Sequence, residues 1–247
     1  VAIDFANAMG LLEARVFDGL FDIDPLFDRL DGSFPNHEAN PLKHETLDAL
    51  RERMAGGGYD FGIAFDGDAD RAGFLDERGE IVPMDLITAV IAKDILSREP
   101  GGRILYDLRS SRAVKEIIEE NGGEAAMCRV GHAFIKQQMR ESGAVFAGEL
   151  SGHYYFRENY YTESSALAAL LIANLVARSG KTLSEIVAPM QRYVASGEIN
   201  SEVEDPPDIL ARLKERYAGG ELFELDGLSA EFGDWRFNVR LSNTEPL

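Results

Sequence analysis

The sequence predicts an α/β protein: two successive α/β domains with mixed sheets, followed by an incomplete C-terminal α+β domain. Three observations support this fold class. Short apolar stretches of strand length alternate with longer stretches of helical periodicity. The break Glu99-Pro100-Gly101-Gly102 separates two such series of similar size. Beyond about Met190 the alternation stops, and Pro206-Pro207 opens a shorter series of a different kind.

The first series predicts a domain over residues 1–98. A helix is expected over 84–96, because Ile87, Ile91 and Ile95 recur on one helical face. The stretch DGSFPNHEANP, residues 31–41, is expected to be a loop, since its Pro, Gly and Asn residues interrupt any periodicity. The other elements expected here are a strand at 1–5, a helical stretch to about residue 20, a helix at 43–54, a strand at 60–65, and a hairpin of 72–75 with 80–82.

The second and third series predict domains over residues 99–188 and 189–247. The similar size of the first two series indicates a duplicated architecture, although no strong sequence repeat accompanies it. The second series contains strands at 103–106, 124–129 and 144–147, and helices at 113–120, 133–140 and 164–177. The third contains a helix at 206–217 and strands at 221–225 and 235–241.

Composition limits the classes of partner. The 247 residues carry a formal net charge of −18, with 45% hydrophobic and 28% charged residues, as in a globular protein. This acidity argues against nucleic acid as a partner, because no broad basic surface is expected. The longest apolar stretch, 166–177, is too short to span a bilayer, and no signal peptide is visible, so no membrane association is expected. The lone Cys128 cannot form an internal disulfide, and a cytoplasmic location is expected.

The stretch GIAFDGDADRAGF, residues 62–74, places aspartates on alternate positions after a short apolar strand. Carboxylate oxygens suit Mg²⁺ or Ca²⁺, and a bent loop can turn Asp66, Asp68 and Asp70 toward one ion. A solvated acidic turn is the alternative, although a turn needs only one carboxylate. An EF-hand is disfavoured because its glycine position holds Arg71 and the flanks read as strands. We predict a Mg²⁺ site, with Arg71 aimed at an anion such as phosphate that shares the metal.

Two further motifs carry polar side chains suited to a sugar phosphate. In GELSGH, residues 148–153, Glu149, Ser151 and His153 occupy alternate positions, which point the same way in an extended loop. That set suits a sugar diol, and ordinary turn chemistry is the alternative. RLSNTEP, residues 240–246, offers donors for a phosphate, with a helix N-cap as the alternative. Its donors are Arg240, Ser242, Asn243 and Thr244.

Together these motifs resemble those of the α-D-phosphohexomutases, the phosphomannomutase and phosphoglucomutase group. DGDADR, residues 66–71, resembles the family's metal loop, usually Asp-Gly-Asp-Gly-Asp-Arg, and GELSGH its sugar loop. RLSNTEP resembles its phosphate loop, and FPNHEANP and VGHAFIK look like further family segments. The order and spacing of the motifs also match, over nearly the whole chain. The resemblance implies four domains in the complete enzyme, of which this chain would hold the second, the third and part of the fourth.

The resemblance implies a mutase that interconverts hexose 6-phosphate and hexose 1-phosphate, of mannose or glucose, through a phosphoserine and a hexose 1,6-bisphosphate. The metal loop would hold Mg²⁺, and Arg71 would steady the transferred phosphoryl group. The sugar loop would bind hydroxyls, and the phosphate loop would bind the phosphate that is not reacting. The family's phosphoserine loop, usually Ser-His-Asn-Pro, has no recognisable match in these residues. This chain by itself is therefore expected to be inactive.

Two further residues are candidates for proton transfer and for binding charge near the reacting centre. His132 matches a family histidine near the reacting centre and is a candidate proton shuttle, the alternative being a structural histidine at a helix start. Arg109, in YDLRSS, falls where many family members carry lysine. Since arginine stays protonated, Arg109 is expected to bind charge and not to act as a base.

Other functions stay open from the sequence. One is a non-catalytic module that binds a sugar phosphate or a metal. Another is a metal-dependent phosphatase, for which no separate pattern of nucleophile and base is visible. Within the family, GELSGHYYF looks closer to the mannose/glucose branch than to phosphoglucosamine mutase, whose loop often carries Gln in place of Leu150. The oligomeric state cannot be read from the sequence.

Overall fold

The computed structural model describes residues 1–241, and within them β-strands form three sheets with α-helices between them. The strands are β1 (Ala2–Asp4), β2 (Asp24–Leu26), β3 (Gly62–Phe65), β4 (Ala72–Leu75), β5 (Ile81–Val82), β6 (Arg103–Asp107), β7 (Glu124–Cys128), β8 (Phe146–Gly148), β9 (Tyr154–Phe156), β10 (Thr162–Glu163), β11 (Glu221–Phe223), β12 (Leu228–Glu231) and β13 (Arg236–Val239). The α-helices are α1 (Ala14–Phe17), α2 (Asp48–Met54), α3 (Met84–Arg98), α4 (Arg112–Glu120), α5 (His132–Ser142), α6 (Ser165–Ser179), α7 (Leu183–Val187) and α8 (Pro206–Arg216).

The first two sheets share one topology. In the first sheet the order is β2-β1-β3-β4-β5, with β1 parallel to both neighbours and β4 and β5 antiparallel. In the second the order β10-β9-β8-β6-β7 repeats this plan, with β6 in the place of β1 and β8 in the place of β3. The predicted α/β class with mixed sheets is confirmed, and so is the duplicated architecture.

Helix α3 joins the two halves through a shared hydrophobic core. It contacts β4 of the first sheet and β6 and β8 of the second. The core accordingly includes Ile3 and Phe74 from one sheet and Ile104 and Phe146 from the other. The sequence predicted a single apolar face on this helix, but it is buried on nearly every side because it lies between two sheets.

Local packing changes two predicted helices near the N-terminus. The helical stretch expected to about residue 20 is a 3₁₀ turn, Met9–Leu12, followed by the single turn of α1. Gly10 lies so close to Phe65 that a Cβ would be 2.9 Å from that ring, and this contact fixes the backbone at the start of the segment. The helix expected at 43–54 opens as a 3₁₀ helix, His44–Leu47, and becomes α-helical only in α2.

The C-terminal segment packs α8 with a small antiparallel sheet of order β11-β12-β13, which fits the predicted incomplete α+β domain. Arg112 of α4 donates hydrogen bonds to the carbonyls of Phe232 and Gly233, and Arg236 donates to the carbonyl of Leu108. The small sheet therefore sits against the second α/β unit. Strands β2, β9, β10 and β12 were not predicted from the sequence.

Within residues 1–241, no single helix is long and apolar enough to cross a membrane. Helix α6 and the segment Leu183–Met190 reach the required length and composition only as a pair, bent by 96°.

Candidate active site

The metal loop, residues 66–71, connects β3 to β4 at the carboxyl end of β3. One carboxylate oxygen from each of Asp66, Asp68 and Asp70 lies within 4.8 Å of the others, so the predicted ligands do converge. The loop turns sharply at Ala69, whose φ of +63° is in the left-handed region. The hydroxyl of Ser165, at the start of α6, donates a 2.5 Å hydrogen bond to the carbonyl of Ala69 and holds this turn.

Arg71 is fixed against the first aspartate. Its Nε donates to Oδ2 of Asp66 at 2.6 Å, and its backbone N–H donates to Oδ1 at 3.1 Å. Burial raises the pKa of Asp66 despite these contacts. Because Arg71 sits beside the aspartates, its positive charge is available next to any anion that approaches a metal on this loop.

The three carboxylates fit a hard divalent cation. They offer oxygen ligands only, they meet at one point, and Asp68 is exposed, which leaves a side open to water or to a ligand oxygen. An EF-hand is excluded by the position of Glu77, which would be its last ligand. Both carboxylate oxygens of Glu77 accept hydrogen bonds from Ser184, on the side of α7.

The sugar loop, residues 148–153, makes the connection β8–β9, which is the counterpart of β3–β4 in the duplicated plan. Glu149 is buried, with 2% of its residue surface exposed. Its Oε1 accepts from the N–H of Gly131 at 3.1 Å and its Oε2 from the hydroxyl of Tyr155 at 2.7 Å. Burial alone would raise the pKa of Glu149, but hydrogen bonds from His153 and Tyr155 lower it below its ordinary value.

His153 lies between the two loops. Its Nδ1 is 2.9 Å from the hydroxyl of Ser151 and 3.0 Å from Oε2 of Glu149, while its Nε2 is 3.2 Å from Oδ2 of Asp70. Burial acts to lower the pKa of His153, but the two carboxylates raise it to about 9. The hydrogen bond from His153 in turn lowers the pKa of Asp70.

The backbones of the loops also pair directly. Arg71 and His153 form an isolated antiparallel bridge, and the N–H of Ala72 donates to the carbonyl of Gly152 at 3.1 Å. Gly152 is required at this junction, because its φ is +90° and a Cβ would lie 3.0 Å from the carbonyl oxygen of Ala72. The metal loop and the sugar loop are thus one continuous surface built from two sheets.

The remaining predicted residues lie around this surface. Arg109, just after β6, donates to the buried carboxylate of Asp107 at 2.7 Å. His132 opens α5 with its side chain 62% exposed and its Nδ1 3.6 Å from Oε1 of Glu163. Lys136 donates to the same oxygen at 2.7 Å, so Glu163 faces two basic groups.

The phosphate loop is only partly described. Arg240 follows β13 directly and is half-buried. Ser242, Asn243 and Thr244 lie outside the described residues, so their predicted role in binding phosphate stays a prediction.

The sequence pattern missed Asp107 and Tyr155, both of which hold residues of the candidate site. An available signal for Asp107 was its place at the carboxyl end of a parallel strand, where ligand-binding groups of α/β sheets collect. Tyr155 gave no such signal, because an aromatic residue in a strand is ordinarily core.

Family models match most of the chain. The model described as phosphoglucomutase/phosphomannomutase, alpha/beta/alpha domain II, matches residues 1–79, and that for domain III matches residues 83–193. The chain belongs to the phosphoglucomutase/phosphomannomutase family. The resemblance drawn from the sequence motifs is therefore confirmed.

Named relatives of this family cover the chain almost fully but extend beyond it. A protein named "Phosphohexose mutases" from Xanthomonas campestris is 44% identical over 230 residues, which is 92% of this chain and 51% of that protein. A phosphomannomutase from Methanocaldococcus jannaschii is 44% identical over 250 residues, 100% of this chain and 56% of that protein. The chain thus spans about half the length of these curated relatives.

The fold agrees with a solved member of the family. The crystal structure of a phosphoglucomutase/phosphomannomutase family protein from Burkholderia thailandensis superposes with a TM-score of 0.85 at 30% sequence identity. The superposition covers 99% of this chain and 54% of the other.

Proposed function

We propose that this chain is part of a phosphohexomutase that interconverts hexose 6-phosphate and hexose 1-phosphate through a phosphoserine and a hexose 1,6-bisphosphate. The observation that carries the proposal is the bridge between Arg71 and His153, which makes one surface of the metal loop and the sugar loop. A mutase needs that arrangement, because the phosphoryl group and the sugar hydroxyl that exchanges it must lie side by side.

Mg²⁺ is the metal that we assign to the aspartates. Asp66, Asp68 and Asp70 would hold it, and it would supply neutralisation of the charge on the phosphoryl oxygens. Arg71 would stabilise the same group from the side. Its contact with Asp66 restricts the guanidinium before substrate arrives, so little reorganisation is needed during transfer.

On the sugar loop, we assign the hydroxyl contacts chiefly to Ser151 and His153. Both carboxylate oxygens of Glu149 already have partners in Gly131, Tyr155 and His153. Glu149 would therefore contribute mainly by orienting His153, and would contact the sugar directly only after exchanging a partner. His153 also has both ring nitrogens engaged, Nδ1 by Glu149 and Nε2 by Asp70, so it would donate to a sugar hydroxyl only after releasing one of these carboxylates.

The charged residues around the loops would bind the rest of the ligand. Arg109 would bind an anionic group, since its guanidinium stays protonated. His132 is assigned as the proton shuttle, with Glu163 near its Nδ1. Arg240 would bind the phosphate that is not reacting, together with Ser242, Asn243 and Thr244.

Mannose and glucose phosphates are the proposed substrates, and the cytoplasm is the proposed location. A relative 44% identical to this chain is named phosphomannomutase, which supports this branch over phosphoglucosamine mutase.

A coupled assay on the full-length protein tests the proposal. We expect turnover of mannose 1-phosphate or glucose 1-phosphate that depends on Mg²⁺ and on priming by glucose 1,6-bisphosphate. Glucosamine 1-phosphate serves as the control substrate, and a higher kcat/KM for it would reject the proposed branch. Release of inorganic phosphate without isomerisation would reject the mutase in favour of a phosphatase.

A further inference from the structure

Asp107 is a buried carboxylate that joins two separate parts of the candidate site. It is the last residue of β6 and has none of its surface exposed. Its Oδ1 accepts from the backbone N–H of Arg109 at 2.7 Å. Its Oδ2 accepts both from Nη2 of Arg109, at 2.7 Å, and from the backbone N–H of Leu150, at 2.8 Å. One side chain thus holds the Arg109 guanidinium and the backbone of the sugar loop.

Comparison with the first α/β unit shows which contacts of Asp107 are common to both units. Asp4 occupies the equivalent place at the end of β1, and it too accepts the N–H two residues on, from Ala6, at 2.8 Å. Its other oxygen lies 3.0 Å from Nε2 of His37. The hydrogen bond from the backbone N–H two residues further on is therefore common to both units. The hydrogen bonds from the Arg109 guanidinium and from the N–H of Leu150 occur in the second unit alone.

The surroundings of Arg109 indicate that its guanidinium keeps hydrogen-bonding capacity. Its side chain is 18% exposed, and its Nε is buried without a hydrogen-bond partner among residues 1–241. An arginine presents its donors in a rigid planar fork, so holding one end on Asp107 fixes the directions of the others.

We propose that Asp107 is a positioning residue for the sugar phosphate. It sets the guanidinium of Arg109 and the sugar loop at Leu150 in one fixed relation, so that an anionic group and the sugar hydroxyls are bound as a unit. This inference rests on the function proposed above.

The first test is a double-mutant cycle in the full-length protein, with Asp107→Asn, Arg109→Ala and the double variant. Asparagine keeps the volume and one oxygen, but its amide would face the donors of Arg109 and Leu150. We expect Asp107→Asn to raise the Kd for glucose 1,6-bisphosphate, measured by calorimetry, and the KM for the monophosphate, each by roughly tenfold or more. In the Arg109→Ala background, the same change should have a clearly smaller effect, because its main partner is gone. If the fold-changes in Kd of the two single variants multiply to give the fold-change of the double variant, the inference is overturned.

Asp94→Asn is the matched control for the loss of a buried aspartate. Asp94 on α3 is also buried and also accepts hydrogen bonds from arginines, Arg98 and Arg178, but it touches neither loop. We expect it to lower stability while leaving the bisphosphate Kd as in the wild type. An equal rise of the Kd in Asp94→Asn would mean that general destabilisation, not positioning, explains Asp107→Asn.

Two further measurements keep the inference testable. If Asp107→Asn does not fold, Asp107→Glu keeps the charge and displaces it by one methylene, and wild-type affinity in that variant would overturn the positioning role. The wild-type protein separates this inference from the proposed function. If the wild-type protein turns over but the Asp107/Arg109 double-mutant cycle is additive, only the role of Asp107 is rejected. If the wild type neither turns over nor binds the bisphosphate, the role of Asp107 and the proposed function are both rejected.

Discussion

The Nε2 of His153 lies 3.2 Å from Oδ2 of Asp70, although the two residues belong to loops of different sheets. On its other side, the imidazole contacts Glu149 at 3.0 Å. A single side chain therefore connects the group that would bind metal with the loop that would bind sugar. A change in charge at the aspartates therefore acts on the sugar loop through the hydrogen bond between Asp70 and His153.

Asp68→Asn should weaken the binding of divalent metal while leaving the fold intact. Asp68 is the exposed member of the three aspartates, so neutralising it should change stability by no more than about 0.5 kcal/mol. Removing one ligand charge should weaken Mg²⁺ binding by roughly tenfold or more, and turnover of the full-length enzyme should fall with it. Calorimetric titration with Mg²⁺ measures the affinity.

Asp60→Asn is the control for this prediction, because Asp60 is an exposed aspartate just before β3 and outside the metal loop. It should leave the Mg²⁺ affinity unchanged. Equal affinities for wild type and Asp68→Asn would remove Asp68 from the ligand set.

Gly152→Ala should separate the two loops at their junction. Its φ is +90°, and a Cβ would lie 2.8 Å from the sulfur of Met84 and 3.0 Å from the carbonyl oxygen of Ala72. Gly143→Ala isolates the backbone cost, since Gly143 also has a positive φ, +68°, but nothing within 4 Å of the added Cβ. We expect about 1–2 kcal/mol of destabilisation at Gly143 and about 1–3 kcal/mol more at Gly152. Urea unfolding measures both, and equal losses would show that the junction has room.

The sequence was sufficient for features that depend on local spacing. The alternation of Asp66, Asp68 and Asp70 after a strand gave the converging carboxylates, and the two α/β series gave the duplicated sheets. The contact between His153 and Asp70 could not be predicted in this way. It depends on how α3 holds the two sheets together, and no local pattern encodes the relative placement of residues 83 positions apart.

The site residues that lie behind the loops were missed for a related reason. Buried polar residues such as Asp107 and Tyr155 read in the sequence as ordinary parts of strands. Their role is shown by their contacts, with Arg109 and the backbone of Leu150 for Asp107 and with Glu149 for Tyr155. The phosphate loop is a different case, since only its first residues, Arg240 and Leu241, are described.

Ala69→Gly should leave thermal stability and Mg²⁺ binding nearly unchanged, whereas Ala69→Val should lower both. Ala69 stands where the family motif usually has glycine, and its φ of +63° costs about 1–2 kcal/mol in an L-residue. Glycine removes that strain but adds freedom to the unfolded chain, so the net change should stay within about 1 kcal/mol. Valine, β-branched and nearly fully buried here, should lose about 1–3 kcal/mol from backbone strain alone. Thermal unfolding and Mg²⁺ titration of both variants test this, and a stable Ala69→Val that binds Mg²⁺ normally would contradict it.

Asp85→Asn should become more favourable relative to the wild type as the pH rises. Asp85 is buried on α3, where its Oδ2 accepts from the N–H of Ser111 at 2.7 Å. Burial raises its pKa above the ordinary 3.8, and the nearby charge of Asp107 raises it further. Between about pH 3.8 and the raised pKa of the folded state, the folded chain therefore holds a proton that the unfolded chain has released. The wild type must lose stability as the pH rises through this window, by about 1.4 kcal/mol for each pH unit by which the pKa is raised.

The asparagine variant does not titrate at this position and should escape that loss, while its side-chain oxygen can still accept from Ser111. Glu99→Gln should show the opposite sign, since the hydrogen bond from Arg157 lowers the pKa of Glu99 and stabilises the folded wild type once the carboxylate is charged. Urea midpoints between about pH 3 and pH 7 measure both differences, because the window for Glu99 lies below its ordinary pKa of 4.5 and that for Asp85 above 3.8. If the difference in stability between Asp85→Asn and the wild type stays constant across this range, Asp85 titrates alike in the folded and unfolded chains. Its hydrogen bonds from the backbone N–H groups of Ser111, Leu86 and Asp85 would then fully compensate the burial of its charge.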